Sequence, residues 1–207
     1  MFSCARSGAP DSFLIWKIKF LAKSFPLLRG LCYNETSMPE GCEKMSKQGD
    51  AAYAWFLKGY NCSQSVVAAF APQLGLTEEM ALRLSAGFGA GIGRMREVCG
   101  AFCGVVTVLS MVYADPTDPK DKSRIYALVQ QAAEQYRTRN SGGSIICREL
   151  LAKAGAAPAG GTAAEDRTAD YYKKRPCPEL CRICADLCAE FIAAHPEGRH
   201  GLYKEDA

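Results

Sequence analysis

Apolar residues recur at the spacing of an α-helix along most of the chain after residue 45. Gly59 and the two prolines of segment 115–119 are typical of helix ends, whereas Asn61 and Ser144 are typical N-caps. No segment alternates apolar and polar residues as a half-buried strand does. We therefore predict an all-α fold, a compact helical bundle of about six to seven helices. The predicted helices are residues 46–58, 62–70, 77–86, 98–114, 121–139, 145–153 and 178–194.

The two ends of the chain lack this periodicity. Residues 1–43 mix Ser, Gly, Pro and charged residues, which favours a disordered or mis-started N-terminal extension ahead of a start at Met38 or Met45. We expect a cysteine-rich helical domain over residues 44–194 and a C-terminal tail over residues 195–207. Both histidines lie in that tail, so His-based metal binding or proton transfer is not expected.

The distribution of charge argues against two classes of partner. The formal net charge is +3, and residues 1–30 alone carry five Lys or Arg and a single Asp, so the remainder is close to neutral. A near-neutral domain has no basic face for nucleic acid or an anionic membrane, and neither is expected as a partner. The uncharged stretch 98–114 is shorter than the roughly 20 residues of a membrane helix and predicts a buried core helix. Lys17 interrupts the first apolar run, so no signal peptide is expected and the predicted location is cytoplasmic.

Eleven cysteines are the unusual feature of the composition. In a reducing cytoplasm such a number favours metal binding or redox chemistry over structural disulfides. Four of them, Cys62, Cys99, Cys147 and Cys177, fall at the starts of predicted helices, where the positive end of the helix dipole favours a thiolate. We expect these four to converge on one pocket with low thiol pKa values, beside positive charge from Arg94, Arg96 and Arg175. Cys4, Cys32 and Cys42 lie in the extension and are expected to have no role.

The remaining cysteines and a glycine-rich segment are predicted to surround this pocket. Cys103 lies one turn after Cys99, and Cys181, Cys184 and Cys188 share one stripe of the last helix with Cys177. Cys103, Cys181 and Cys184 are candidates for additional ligands, although packing is the favoured interpretation of Cys184 and Cys188. No strand enters the glycine run, which disfavours a nucleotide loop. The residues expected to approach the site closely, or to offer N–H donors to sulfur, are Gly89, Gly91, Gly93 and Arg94.

Three parts of the sequence resemble a family of redox-active proteins named for their C-GCAxxG-C-C cysteine pattern. They are Gly59-Tyr-Asn-Cys62-Ser-Gln, the run Gly87-Phe-Gly-Ala-Gly-Ile-Gly-Arg-Met-Arg-Glu-Val-Cys-Gly-Ala-Phe-Cys-Gly104, and the pair Cys147 and Cys177. The resemblance covers about residues 46–194 and implies a small helical domain with a redox role. A similar domain is fused to haem segments in certain multihaem cytochromes, where an iron–sulfur cluster is associated with it. The resemblance assigns the family cysteines to Cys62, Cys99, Cys147 and Cys177.

Three functions remain open on the sequence alone. The first is a redox protein that binds an iron–sulfur cluster, or another metal, through clustered thiolates and passes electrons to a redox partner protein. The second is a thiol–disulfide oxidoreductase without metal, and the third is a helical domain stapled by structural zinc. A homodimer is a further expectation, because small residues are predicted on the surface. These residues are Ala68, Ala69, Ala132 and Ala133.

Overall fold

The computed structural model describes residues 46–157, 159–199 and 203–205. Within these residues the chain forms eight α-helices and a short 3₁₀ turn, Ala86–Phe88, with no β-strand. A single antiparallel bridge pairs Val98 with Ile146. The all-α prediction is confirmed. The helices are α1 (Lys47–Leu57), α2 (Cys62–Ala69), α3 (Glu78–Ser85), α4 (Gly100–Tyr113), α5 (Lys122–Arg139), α6 (Cys147–Lys153), α7 (Ala169–Lys174) and α8 (Cys177–Ala194).

The apolar helix α4 and the buried face of α8 form the centre of the core. Helix α8 packs against α1, α2, α4 and α5, and α2 packs against α1, α3, α4 and α8. A Cβ atom on Gly104 would lie only 2.7 Å from Val66 Cβ, so glycine is required for α4 to approach α2 this closely. The largest buried side chains are those of Phe56, Phe70, Tyr113, Tyr136 and Phe191.

Side-chain caps fix the starts of the first helices. Ser46 Oγ accepts a hydrogen bond from Gly49 N at 2.9 Å and donates one to Asp186 Oδ1 at 2.6 Å, which ties the start of α1 to α8. Asn61 and Gln64 form a reciprocal capping box at the start of α2. Because Asn61 is the N-cap, Cys62 is the first residue of α2.

The start of α6 differs from the predicted one. The sequence predicts that Ser144 caps a helix from residue 145, whereas the helix begins at Cys147 with Ile146 as its N-cap. Ser144 Oγ accepts instead from Ile146 N at 2.9 Å. The backbone at 145–147 is engaged with residues 97–99 across the bridge, so it is extended where the local sequence favours a helix.

Helix α7 is an element that the sequence pattern does not predict. Thr168 Oγ1 caps it by accepting from Tyr171 N at 3.2 Å. Tyr172 packs edge-on against Phe56 of α1, with 6.3 Å between ring centroids. Because an isolated helix of six residues is unstable in water, these tertiary contacts hold it.

Several surface and terminal expectations change. The four alanines expected on the surface, Ala68, Ala69, Ala132 and Ala133, are buried in the core and offer no surface for a dimer; the oligomeric state stays a prediction. His195, assigned above to the C-terminal tail, is the C-cap of α8, and its ring stacks on Phe191 at 4.3 Å between centroids. The extension at 1–43, with Cys4, Cys32 and Cys42, and His200 lie outside the described residues.

No helix in the described part of the chain is both long and apolar enough to cross a lipid bilayer.

Candidate functional site

Four cysteines from four helix starts line one small cavity. Cys62, Cys147 and Cys177 are the first residues of α2, α6 and α8, and Cys99 is the N-cap of α4. The cavity volume is about 10 Å³, which is space for about one water molecule. The structure thus brings together the four cysteines that the sequence singles out. The other lining residues are Gly100, Leu150, Leu151 and Leu180.

Backbone hydrogen bonds hold the starts of α4 and α6 side by side. Cys99 N donates to Ile145 O at 2.7 Å, and Cys147 N donates to Glu97 O at 2.6 Å. Both N–H groups lie at helix starts, where the helix itself offers them no acceptor. These bonds therefore satisfy two buried donors and fix both cysteines at the same cavity.

Glycines allow neighbouring backbone to approach the cysteines. A Cβ on Gly91 would lie 2.7 Å from Cys147 Cβ, and a Cβ on Gly89 would lie 2.3 Å from Asn61 Cγ. A Cβ on Gly100 would lie 2.9 Å from Phe88 O. Larger residues at these positions would force the surrounding backbone apart. Gly91 thus lies against the cavity cysteine Cys147, whereas Gly89 lies against Asn61, the N-cap of α2.

The glycine-rich segment forms a left-handed turn. Ala90, Gly91, Ile92, Gly93 and Arg94 all have φ between 52° and 72°. Each L-residue in this region costs about 1–2 kcal/mol, and such strain is concentrated at functional sites. The turn directs the N–H of Ala90 at the sulfur of Cys62. At Gly93 glycine is favoured by the positive φ and not by a lack of space, because a Cβ there would make only an ordinary contact of 3.8 Å with Gly87 O.

Among the four cavity cysteines, Cys62 is the one whose surroundings favour the thiolate. Hydrogen bonds from the Cys177 and Cys181 thiols lower the pKa of Cys62 well below its ordinary value, although burial opposes this shift. Arg167 and the N–H of Ala90 stabilise the same thiolate. Cys62 is also partly exposed to solvent. A partly accessible, low-pKa thiolate has the properties of a reactive cysteine.

The prediction that every helix-start cysteine has a low pKa is wrong for the other three. Burial raises the pKa of Cys99 to about 12 and also raises the pKa of Cys147. The hydrogen bond to Cys62, together with burial, raises the pKa of Cys177 well above its ordinary value. Loss of solvation and repulsion from the Cys62 thiolate therefore outweigh the effect of a helix start.

Three arginines converge on one carboxylate beside the cavity. Nη2 of Arg94 and of Arg96 lie 3.1 Å and 3.3 Å from Glu165 Oε1, and Arg175 Nη2 lies 2.5 Å from Glu165 Oε2. Burial disfavours the charged form of Glu165, but hydrogen bonds from Arg175 and Arg94 lower its pKa. Arg96 also donates to the sulfur of Cys147. The predicted positive charge is thus beside one of the four sulfurs.

A family model described as "Putative redox-active protein (C_GCAxxG_C_C)" matches residues 60–191. The chain belongs to this family. The matched residues include all four cavity cysteines. As a member of this family, the protein is redox-active. No curated protein and no solved structure matches the chain.

The other cysteines of this C_GCAxxG_C_C protein occupy different surroundings. Cys181 Sγ lies 3.6 Å from Cys62 O and donates to the Cys62 sulfur, so it lies next to the cavity. Cys103 is partly exposed, and burial raises its pKa to about 11. Cys184 contacts the hydroxyl of Tyr136. Cys188 is buried in the core, where burial alone raises its pKa, as expected for a packing residue.

The sequence alone did not identify three residues that lie around the four-cysteine cavity. The hydroxyl of Tyr136 lies 3.5 Å from Cys99 Sγ, Arg167 donates to Tyr60 O at 3.1 Å beside Cys62, and Glu165 binds the three arginines. These contacts join residues distant in sequence, except that Glu165 and Arg175 are ten residues apart. No local pattern marks them, because only the fold creates these contacts.

The donor set and its geometry restrict which metal fits. Among residues 46–157, 159–199 and 203–205, no three Cys, His, Asp or Glu side chains converge closely enough to hold a single metal ion. The four sulfurs instead surround a cavity. A tetrahedral zinc site requires every sulfur at about 2.3 Å from one point. The donor chemistry suits a soft metal or an iron–sulfur cluster, whereas the four sulfurs do not form a ready-made site for a single ion.

Proposed function

We propose that this protein is an electron carrier whose Cys62, Cys99, Cys147 and Cys177 bind an iron–sulfur cluster. The observation that supports the proposal is the convergence of four cysteines, one from each of four helix starts, on one apolar cavity. Iron–sulfur clusters are commonly held by four thiolates, and soft sulfur ligands select iron over hard cations. When bound, such a cluster supplies one-electron transfer.

Fixed positive charge next to the cavity supports an anionic thiolate set. Arg96 and Arg175 act on Cys147, and Arg167 acts on Cys62. The N–H groups of Ala90 and Phe102 donate to the sulfurs of Cys62 and Cys99. In the metal-free chain these groups do not outweigh burial at Cys99 and Cys147, whose pKa values are raised. They would stabilise the thiolates that bind a cluster and influence the reduction potential of that cluster.

The size of the cavity implies a local adjustment on binding. Its volume of about 10 Å³ is too small for a cluster of several atoms. Three leucines, Leu150, Leu151 and Leu180, line it beside the sulfurs. Leucine side chains change rotamer without losing hydrogen bonds, so we expect the sulfurs and these side chains to move apart when the site is loaded.

The same proposal includes a compartment and a partner. All eight cysteines in the described part of the chain are free thiols. A reducing cytoplasm maintains free thiols, and we place the protein there. An electron carrier also requires a redox partner protein that donates or accepts the electron.

Anaerobic purification followed by reconstitution with ferrous iron and sulfide tests the proposal. We expect iron and sulfide in comparable amounts, together with broad visible absorption bands that bleach on reduction by dithionite. Zinc reconstitution without iron provides the comparison. A reconstituted protein with no visible absorption and no retained sulfide contradicts the proposal.

Thiol–disulfide exchange is a second candidate, favoured by the hydrogen bonds from Cys177 and Cys181 to Cys62. In this reaction the Cys62 thiolate attacks a substrate disulfide, forms a mixed disulfide and releases one substrate thiolate. Cys177, after losing its proton, then attacks the Cys62 sulfur and releases the second thiolate. The two electrons pass from the cysteine pair to the substrate, and a Cys62–Cys177 disulfide remains.

Selective alkylation at neutral pH is expected in the reduced, metal-free protein. Cys62 and Cys103 are both partly exposed, but the pKa of Cys62 is low whereas that of Cys103 is about 11. Because the thiolate is the nucleophile, iodoacetamide should modify Cys62 at pH 7 and Cys103 only as the pH approaches 11. Mass spectrometry of digested peptides measures both rates. Equal rates at pH 7 contradict this expectation, and a Cys62→Ala variant identifies the fast reaction.

Replacing Tyr136 by Phe should make the reduction potential of the reconstituted protein more negative. The hydroxyl of Tyr136 lies 3.5 Å from Cys99 Sγ, and its ring stacks on Phe102 with 5.6 Å between centroids. A hydrogen bond to a ligand sulfur stabilises the more negative, reduced state, and Phe removes that bond while keeping the stacked ring. Redox titration of the visible absorption measures the change. An unchanged potential with full iron content shows that the hydroxyl does not act on the centre.

A further inference from the structure

The three arginines at Glu165 form a buried, positively charged pocket. The side chains of Arg94, Arg96 and Arg175 are 13%, 9% and 7% exposed, whereas that of Glu165 is 34% exposed. Guanidinium groups are rarely this buried unless anions neutralise them. Solvent reaches the pocket through its most exposed member, the carboxylate.

One carboxylate does not neutralise three guanidinium groups. The other oxygen acceptors are neutral carbonyls: Ala159 O accepts from Arg96 at 3.0 Å and 3.1 Å, and Gly161 O accepts from Arg94 at 3.4 Å. Each guanidinium has five N–H donors, and its fork matches carboxylate and phosphate oxygens. The pocket therefore has the charge and the donor geometry of an oxyanion site.

The scaffold places the arginines independently of Glu165. Arg94 and Arg96 have φ of 72° and 63°, and their backbone is fixed by hydrogen bonds from Arg94 N to Gly89 O and from Arg148 N to Arg96 O. Arg175 stacks on the Tyr171 ring at 4.9 Å. Backbone strain at two arginines that point to the same carboxylate is typical of a preorganised binding site.

Glu165 enters this pocket from an exposed segment, which we call the strap (residues 159–168). The strap has no helix or strand, and its residues other than Glu165 and Arg167 are exposed. Besides Glu165, polar contacts hold the strap: Ala159 O and Gly161 O accept from Arg96 and Arg94, and Arg167 donates to Tyr60 O. These contacts involve few buried apolar groups, so Glu165 can separate from the arginines without disrupting the core. Glu165 thus contacts the arginines as a tethered ligand would.

We propose that Arg94, Arg96 and Arg175 bind the carboxylate or phosphate group of a small anion, and that the chain's own Glu165 occupies this site until the anion displaces it. When the anion displaces Glu165, the strap loses its ion pairs with the three arginines. One of these arginines, Arg96, also contacts Cys147. The site adjoins the four-cysteine cavity through the contact of Arg96 with Cys147, but the proposal does not rest on a bound cluster.

Isothermal titration of the reduced full-length chain with inorganic phosphate and, separately, with succinate tests the proposal. Removing a tethered competitor raises the apparent affinity by the inverse of the fraction of sites that it leaves free, which is about tenfold if it occupies about nine sites in ten. The Glu165→Gln variant should therefore bind at least one probe about tenfold more tightly than the wild type. A Glu165→Gln/Arg175→Gln double variant should lose this binding. The probe that the Glu165→Gln variant binds more tightly, phosphate or succinate, shows whether the site prefers a phosphate or a carboxylate group.

Two further measurements control for an indirect effect. Glu190→Gln removes an ion pair with Arg139 of 2.7 Å elsewhere on the surface and should leave probe binding at the wild-type level. In the wild type, saturating probe should increase amide hydrogen exchange in residues 159–168. The proposal is overturned if Glu165→Gln binds neither probe more tightly than the wild type, or if the double variant binds as well as the single one. If Glu165→Gln does not fold, unchanged exchange in the wild-type strap overturns it.

Discussion

Replacing Cys99 by Ala is expected to remove iron and sulfide from the reconstituted protein, whereas replacing Cys188 by Ala leaves both in place. The two cysteines are a matched pair, because both are buried in the same core cluster. Cys99 lines the cavity beside Cys62 and Cys147, while Cys188 does not line it. Loss of a residue that only supports a metal ligand reduces metal affinity by about 10–100-fold, and loss of a ligand is expected to exceed that range.

Quantified iron and acid-labile sulfide, with circular dichroism as a check on folding, measure this difference. The same loss is expected for Cys62→Ala, Cys147→Ala and Cys177→Ala. Equal iron content in the Cys99 and Cys188 variants would mean that Cys99 is not a ligand and that other residues bind the iron. Loss of helix content in Cys99→Ala but not in Cys188→Ala points to a structural role for Cys99.

The positions of Cys62 and Cys177 at helix starts follow from local sequence signals, whereas the start of α6 at Cys147 does not. Asn61 predicts the start of α2, and Pro178, which follows Cys177, fits the first turn of α8. Cysteines next to such signals are at helix starts whatever the rest of the fold does. The convergence of the four cysteines depends on how the helices pack. From the sequence it could be expected only because helix starts and nearby arginines together would stabilise several thiolates.

The charge state of the site was not predictable in the same way. A helix start lowers a thiol pKa, but the pKa of Cys99 rises to about 12 because burial is the larger effect. Burial and the Cys177–Cys62 hydrogen bond depend on how α2 and α8 pack together. Glu165 gives a similar example, since its loop contains no periodic pattern and its partners, Arg94 and Arg96, lie about 70 residues earlier.

The left-handed turn marks another limit of local sequence reasoning. Glycines at 91 and 93 predict backbone freedom, but Ala90, Ile92 and Arg94 adopt the same left-handed conformation without being glycine. Their intrinsic preference opposes it, so the hydrogen bonds of the turn and its contacts with α6 must outweigh that preference. Gly93 N, which donates to Gly87 O at 2.7 Å, is one such bond.

Replacing Gly91 by Ala should destabilise the protein more than replacing Gly143 by Ala. Both glycines have positive φ, 72° and 63°, so both variants incur the left-handed penalty of about 1–2 kcal/mol. A Cβ on Gly143 meets no atom within 4 Å, whereas a Cβ on Gly91 would lie 2.7 Å from Cys147 Cβ and 3.0 Å from Arg96 Cα. Overpacking of this kind adds about 1–3 kcal/mol, so the Gly91 variant should lose that much more free energy of unfolding.

Urea unfolding of the reduced, metal-free chain, followed by circular dichroism, measures both free energies. The difference between the two variants isolates the steric contribution of Gly91, because the backbone penalty is common to both. The Gly91→Ala change should also displace Cys147 from the cavity and reduce iron content, while Gly143→Ala retains it. Equal destabilisation of the two variants would mean that the turn moves away from α6 without strain, and the close approach of Gly91 to Cys147 would then not be what holds the site together.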